Sequence, residues 1–262
     1  MKKRQSASKI LGYTFALVGV VAILFLMAFN SERQLKSACG NIDISFSSSQ
    51  ELFFLETSDI EEILHNTIDT SFTDQSIKYV DLSEMEFAIE QNPFVAKADL
   101  FIDMQGNLHV AITQKQPIAR IINKNGVNYY IDKEGKKFPV SNKFTSRVIV
   151  INGNINEDLK NPELLTTPEM QNAFSLVNFI HKNDLWNAQI EQIYVNTLGE
   201  FELVPKLGDH IIQFGSADNM KNKFDKLEVF YKKGLSYVGW EKYSTINLMY
   251  DSLVVCTKKQ SL

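Results

Sequence analysis

A chain of 262 residues, 44% hydrophobic and 22% charged, holds enough apolar material for one large folded domain or two small ones. Four of its 27 basic residues, Lys2, Lys3, Arg4 and Lys9, lie in the first nine, so the remainder sets 23 basic residues against all 31 acids, a net charge of −8. That balance argues against nucleic acid, whose phosphates call for a basic face.

Residues 1–9 form a basic tail. Ile10 to Phe29 follow as 20 residues without a charge. At about 1.5 Å rise per residue such a run spans a hydrocarbon core of roughly 30 Å. A secretory leader would carry a shorter apolar region, about 7–15 residues, and a small-x-small cleavage site. The sequence LMAFNSE offers no such site. The spacing predicts an uncleaved transmembrane helix over 10–29. The basic flank keeps the N-terminus in the cytoplasm and exports everything after it. Residues 30–41 read as a polar stalk. The two cysteines, Cys39 and Cys256, lie at opposite ends of the exported region, and their spacing implies no disulfide.

Ile42, Ile44 and Phe46 alternate with polar residues, a strand signal. Two helices follow. Ser58 with Glu61 and Ser83 with Glu86 read as capping boxes, and Met85 and Ile89 share one face with Leu82. Asn92 before Pro93 ends the second helix. The stretch NPFVAKADLFIDMQGNLHVAITQKQPIARI then reads as a hairpin. Ala96, Ala98, Leu100 and Ile102 point inward on one strand; Leu108, Val110 and Ile112 do so on the other. The order from 42 to 116 is strand, helix, helix, strand, strand, an α+β layer.

From 117 to 259 the chain reads as a β-rich domain with flanking helices, and 260–262 as a tail. GVNYYIDKEGKKFPV gives two short strands about a DKEG turn, and RVIVI a buried strand. TTPEMQNAFSLVNFIHKN is a helix with Pro168 in its first turn. Three closely spaced strands, IEQIYVN, GEFELVP and HIIQFG, come next. ADNMKNKFDKLEVFYKKG is a second helix, with Gly234 expected as its C-terminal cap. TINLMYDSLVVCTKK closes the domain as two strand segments. A strand at the chain end tends to lie at a sheet edge, where unpaired N–H and C=O groups await a partner. Leu248, Tyr250, Leu253 and Val255 are candidates for that edge. Proline at Leu253 or Val254 is expected to remove a ladder donor there.

No catalytic, cofactor-binding or metal site emerges. His65, His109, His181 and His210 fall in four separate segments. Glu61 and His65 stand four apart on a helix, a spacing that chance supplies often. The S-x-x-K match at Ser6–Lys9 lies in the tail, before the anchor. Adjacent acids, Glu61–Glu62 and Glu157–Asp158, read as solvated surface charge. Tyr129 and Tyr130 fall on strand periods and read as core.

Four segments together carry a resemblance. The hairpin above, YYIDKEGKKFP, MKNKFDKLEVFYKKG and INLMYDSLVVCTKK occur in the order seen in the FtsQ/DivIB cell-division proteins, which the chain resembles from its basic tail to about residue 259. Gln114-Lys115 stand where that family usually has Glu-Arg, and Asn247 and Met249 replace Asp and Arg. The resemblance implies a POTRA module over 42–116 and a non-enzymatic scaffold of the division septum. It implies partners similar to the single-span FtsB and FtsL, and a single-pass protein of the cytoplasmic membrane with its domains outside. It also implies that the last helix and last strand hold the FtsB-like partner. Carried over, that surface is Phe224, Lys226, Leu227, Tyr231, Ile246, Leu248, Tyr250, Ser252, Leu253 and Val254. The second reading is a membrane-anchored envelope assembly or ligand-sensing protein with a POTRA-like module.

Overall fold

The computed structural model describes residues 17–22, 40–47, 52–67, 76 and 80–260. Of the expected membrane span only 17–22 are described, and these are helical. No helix among the described residues is long and apolar enough to cross a membrane. The fold is α+β. It comprises two units, the first ending at Gln114 and the second made of Lys115 onward together with the short segment 52–54.

The first unit is a three-stranded sheet carrying two helices. Strands β1 (Ile42–Ser47), β2 (Val95–Ile102) and β3 (Leu108–Gln114) lie in the order β1-β3-β2, with β1 parallel to β3 and β2 antiparallel. Helices α1 (Thr57–Thr67) and α2 (Leu82–Glu90) bury Ile60, Leu64, Met85 and Ile89 in the same core as Leu100, Leu108, Val110 and Ile112. Both helix starts differ from the sequence reading. The cap of α2 is Asp81, whose carboxylate accepts from Ser83 N at 3.0 Å and Glu84 N at 3.1 Å. A carboxylate two residues upstream reaches the orphan amides better than the Ser83 hydroxyl. Glu86 turns to the sheet instead and accepts from Leu100 N at 2.9 Å. In α1 the reciprocal bond runs from Glu56 N to Asp59 Oδ2, 2.9 Å. One inward residue also changes. A register shift between Val95 and Lys97 exposes Ala96 and buries Val95, because a bulge moves the side-chain alternation by one.

The second unit is a nine-stranded mixed sheet. Its strands are β4 (Pro117–Ile122), β5 (Asn128–Asp132), β6 (Lys137–Pro139), β7 (Ile149–Gly153), β8 (Ile190–Val195), β9 (Phe201–Pro205), β10 (Ile211–Gly215), β11 (Tyr243–Asn247) and β12 (Val255–Lys258). They lie in the order β12-β11-β10-β9-β8-β7-β4-β5-β6. Helices α3 (Pro168–His181) and α4 (Asp184–Gln189) connect parallel β7 and β8, and α5 (Met220–Phe230) connects parallel β10 and β11. Such crossovers place helices against the sheet. The core joins Ile151, Ile193, Leu203 and Ile212 of the sheet with Leu176, Val177, Trp186 and Leu227 of the helices.

Three features of this unit depart from the sequence reading. Residues 52–54 belong to it although they precede α1. Phe54 is buried, edge-on to Tyr130, Phe138 and Phe144 at 5.7, 6.1 and 5.1 Å. Glu157 is not surface charge. It is 3% exposed, pairs with buried Lys137 at 2.7 Å, and accepts from the amides of Thr166 and Thr167 at 2.9 and 2.8 Å. Finally, Gly234 does not end the last helix. The chain continues from α5 into a π turn, Tyr231–Leu235, and a short turn, Ser236–Val238, before Gly239 stops it at φ 92°.

Candidate functional site

Strand β12 is one of the two outer strands of the nine-stranded sheet, β6 being the other. Its residues pair with β11 as Asn247↔Val255, Ile246↔Cys256 and Thr245↔Thr257. Just beyond it, Lys259 N donates to Lys242 O at 3.1 Å, so Lys259, Thr257 and Val255 aim their backbone groups at β11. The opposite side of β11 agrees: Leu248 N donates to Gln213 O of β10 at 2.9 Å, which leaves Asn247 and Thr245 facing β12. The N–H and C=O of Cys256 and Lys258 therefore point outward from the sheet. Those are the groups that an added strand would bond.

Beside this edge lies a groove of about 540 Å³. One wall is helical: Asp225, Lys226, Val229, Phe230, Lys233 and Gly234. The other is the β11–β12 connection, through Ser252 and Val254. The helical residues form two rows, 225/229/233 and 226/230/234, each spaced by four. In a regular α-helix, rows spaced by four drift around the axis, because a turn holds about 3.6 residues. Here the π turn at Tyr231–Leu235 widens the last turn and keeps both rows on one face. The walls are apolar where Val229, Phe230 and Val254 stand, with Lys226, Lys233 and Asp225 around them.

The connection from 248 to 254 is pinned rather than loose. Lys226 Nζ donates to Leu248 O at 3.3 Å and also to Tyr250 O. Asn247 accepts from Met249 N at 2.9 Å and donates to Gln213 Oε1 at 2.9 Å. Met249 packs over Gly215, where a Cβ would meet its Cγ at 2.8 Å. The exposed Met249 and Tyr250 are thus tied to β10 and to α5 at the start of the connection that lines the groove.

The ten residues singled out from sequence divide between core and surface. Phe224, Leu227, Tyr231, Ile246 and Leu248 are buried. Phe224 stacks among Phe179, Trp186 and Phe214 with ring centres 5.0–5.1 Å away. These five support the face from beneath. Lys226, Ser252 and Val254 line the groove, and Tyr250 and Leu253 stand exposed next to it. Leu253 and Val254 precede β12, so proline there removes no ladder donor. The strand edge and Phe230 are within reach of sequence reasoning, whereas Val229 and Lys233, which complete the face, are not marked by strand or core periodicity. Val229, an exposed valine on an otherwise charged helix face, was the available signal.

Other polar clusters are small. His109 in the first unit sits between Asp43 and Asp103, at 3.3 and 3.1 Å, and stacks on Phe101. Among the described residues no group of three or more His, Cys, Asp or Glu is placed to hold a metal ion.

A family model described as FtsQ/DivIB, C-terminal related, matches residues 116–257. A second, described as a POTRA-like domain, matches residues 37–113. No curated protein matches the chain.

Proposed function

Since the chain belongs to the FtsQ/DivIB family, we propose that it is a bitopic scaffold of the bacterial division machinery, holding single-span division proteins on the β12 edge and the groove beside it. The family supports a cell-division scaffold. The observation that carries the finer reading is the coincidence of a strand edge, unpaired among the described residues, with an apolar groove on the neighbouring helix. A partner similar to FtsB or FtsL would add a strand to β12 and lay a helix against Val229, Phe230 and Val254. Main-chain bonds to Cys256 and Lys258 set register, and the side chains in the groove set specificity. The POTRA-like unit serves recruitment to the septum.

Residues 10–29 anchor this scaffold as a transmembrane helix, with the tail in the cytoplasm. The 20-residue apolar run and its basic flank support that topology. Confinement to one bilayer raises the effective concentration of the partners, so a modest interface suffices.

The test is a photo-crosslinking residue at Val229 in the full-length protein in dividing cells, with crosslinked chains identified by mass spectrometry. Single-span division proteins are expected from Val229 and not from exposed Tyr194 on β8. Equal yields from both positions, or no membrane protein from either, would overturn the docking site.

A further inference from the structure

On the side of the π turn away from the groove lies a buried histidine. His210 is 2% exposed, and its Nε2 is 2.9 Å from the Tyr231 hydroxyl. Its Nδ1 has no protein partner among the described residues. Gly208 covers that nitrogen: at φ 87°, a Cβ there would lie 2.7 Å from Nδ1 and Cε1. Trp240 stacks on the imidazole at 6.5 Å, and Tyr231 stands edge-on to it at 5.7 Å.

A neutral imidazole fits this cage, because its one N–H and one lone pair can be divided between the tyrosine hydroxyl and an idle nitrogen. An imidazolium does not. It has two N–H donors, and the second would be buried without an acceptor. The charged groups facing His210 come from three segments: Asp209 beside it, Glu241 before β11, and Lys259 after β12. Lys259 bridges Asp209 at 2.8 Å and Glu241 at 3.2 Å, and among the described residues neither carboxylate reaches hydrogen-bond distance of His210 Nδ1. Burial, the main cause, holds the imidazole below its ordinary value of 6.5.

The cage touches both parts of the docking face. Tyr231 opens the π turn that carries Lys233 and Gly234 into the groove. Lys259 closes the end of β12, through its ion pairs and through Lys259 N to Lys242 O. We propose that His210 is a positioning residue of the docking face, holding the π turn and the end of β12 in place while its imidazole is neutral and releasing them when it takes up a proton. Acid then weakens partner binding through a residue that lies outside the groove. This rests on the docking reading above, but its structural half does not.

The sign follows from linkage. The folded chain holds the neutral form, so stability is complete above about 6.5 and falls as the pH drops below it, toward the lower folded value. One proton taken up on opening raises local opening by up to about tenfold per pH unit in that window.

The experiment is hydrogen exchange of the full-length protein in detergent at pH 7.5 and 5.5, corrected for intrinsic rates, comparing wild type with His210→Phe and His210→Gln. Tryptophan emission gives a second readout, since Trp186 and Trp240, the only two in the sequence, both contact Tyr231, at 5.8 and 4.9 Å. In wild type, peptides over 231–238 and 255–259 are expected to lose protection at pH 5.5; whichever variant folds at pH 7.5 should keep its protection at both. Equal protection of wild type at the two pH values, or the same acid loss in the variants, would overturn the proposal. Neither result involves a partner, so neither bears on the docking reading.

Discussion

At the scale of single residues, two buried polar groups carry consequences that their neighbours do not. The Lys137–Glu157 pair is enclosed, with 0% and 2% of the side chains exposed, and Lys137 Nζ also donates to Asp158 O at 2.8 Å. Removing one member strands the other charge away from water. Lys137→Met is expected to destabilise the second unit by about 3–5 kcal/mol, whereas the double replacement with Glu157→Gln, whose amide oxygen can still accept from the Thr166 and Thr167 amides, should recover much of that loss. Urea unfolding of Lys137→Met, of Glu157→Gln and of the double variant checks it; additive losses would show that the pair is not coupled. The histidines give a second residue-scale expectation. Hydrogen bonding to Asp103 is the main cause that raises His109 above 6.5, while burial lowers His210. Their stability contributions therefore have opposite signs. That of His109 is complete below about 6.5 and fades as the pH rises through its folded value, whereas that of His210 is complete above about 6.5 and fades on acidification. Imidazole NMR titration should place the His109 midpoint above 6.5 and the His210 midpoint below it.

At the scale of elements, the docking face depends on how the last helix ends. A helix that stopped at Gly234, as its sequence invited, would not carry both rows of groove residues on one face. The π turn does so, and Gly234 has a specific place in it. A Cβ at 234 would lie 2.9 Å from the ring of Phe230. Gly234→Ala should displace that ring into the groove and lower partner capture several-fold, with thermal stability nearly unchanged, since alanine favours helix over glycine by about 1 kcal/mol. Capture at wild-type levels would mean that the Phe230 ring has room to move aside. The pattern of legible and hidden features is clearest at this scale. Strand periodicity located β3, β5 and β7 because each buries alternate or continuous apolar residues, and the same periodicity marked Tyr129 and Tyr130 as core. Ala96 was misplaced because a bulge leaves no mark in hydropathy. Glu157 was misread because two adjacent acids give no hint that Lys137, twenty residues earlier, will meet one of them. Phe54 was invisible for a similar reason: a short apolar run before a helix does not say which core it joins.

At the scale of the whole molecule, the chain combines a POTRA-like unit and an FtsQ/DivIB C-terminal related unit. The order of elements was legible because the signals for the two units come in succession: a hairpin ending near Gln114, then a run of short strands interrupted by two amphipathic helices. The face on which we place the partner was only half legible. Five of its expected residues are core, since the alternation that marks a strand or helix face marks the buried one first, and an exposed docking row has no hydropathy of its own. What defines the face instead is topology: β12 ends the sheet order, as its place at the end of the chain suggests, but the helix wall beside it is not written in any strand pattern. Strand addition at β12 entails a separation that composition cannot produce. On β12, proline at an outward-facing residue spares the ladder to β11, while proline at an inward-facing residue breaks it.

The most direct measurement is therefore partner capture from membranes by the full-length protein carrying Cys256→Pro or Lys258→Pro, beside Thr257→Pro, with tryptophan emission to monitor folding. The first two variants are expected to keep wild-type emission and lose the single-span division proteins, while Thr257→Pro disturbs the fold itself. A folded Cys256→Pro or Lys258→Pro protein that captures those partners at wild-type levels would contradict strand addition at β12.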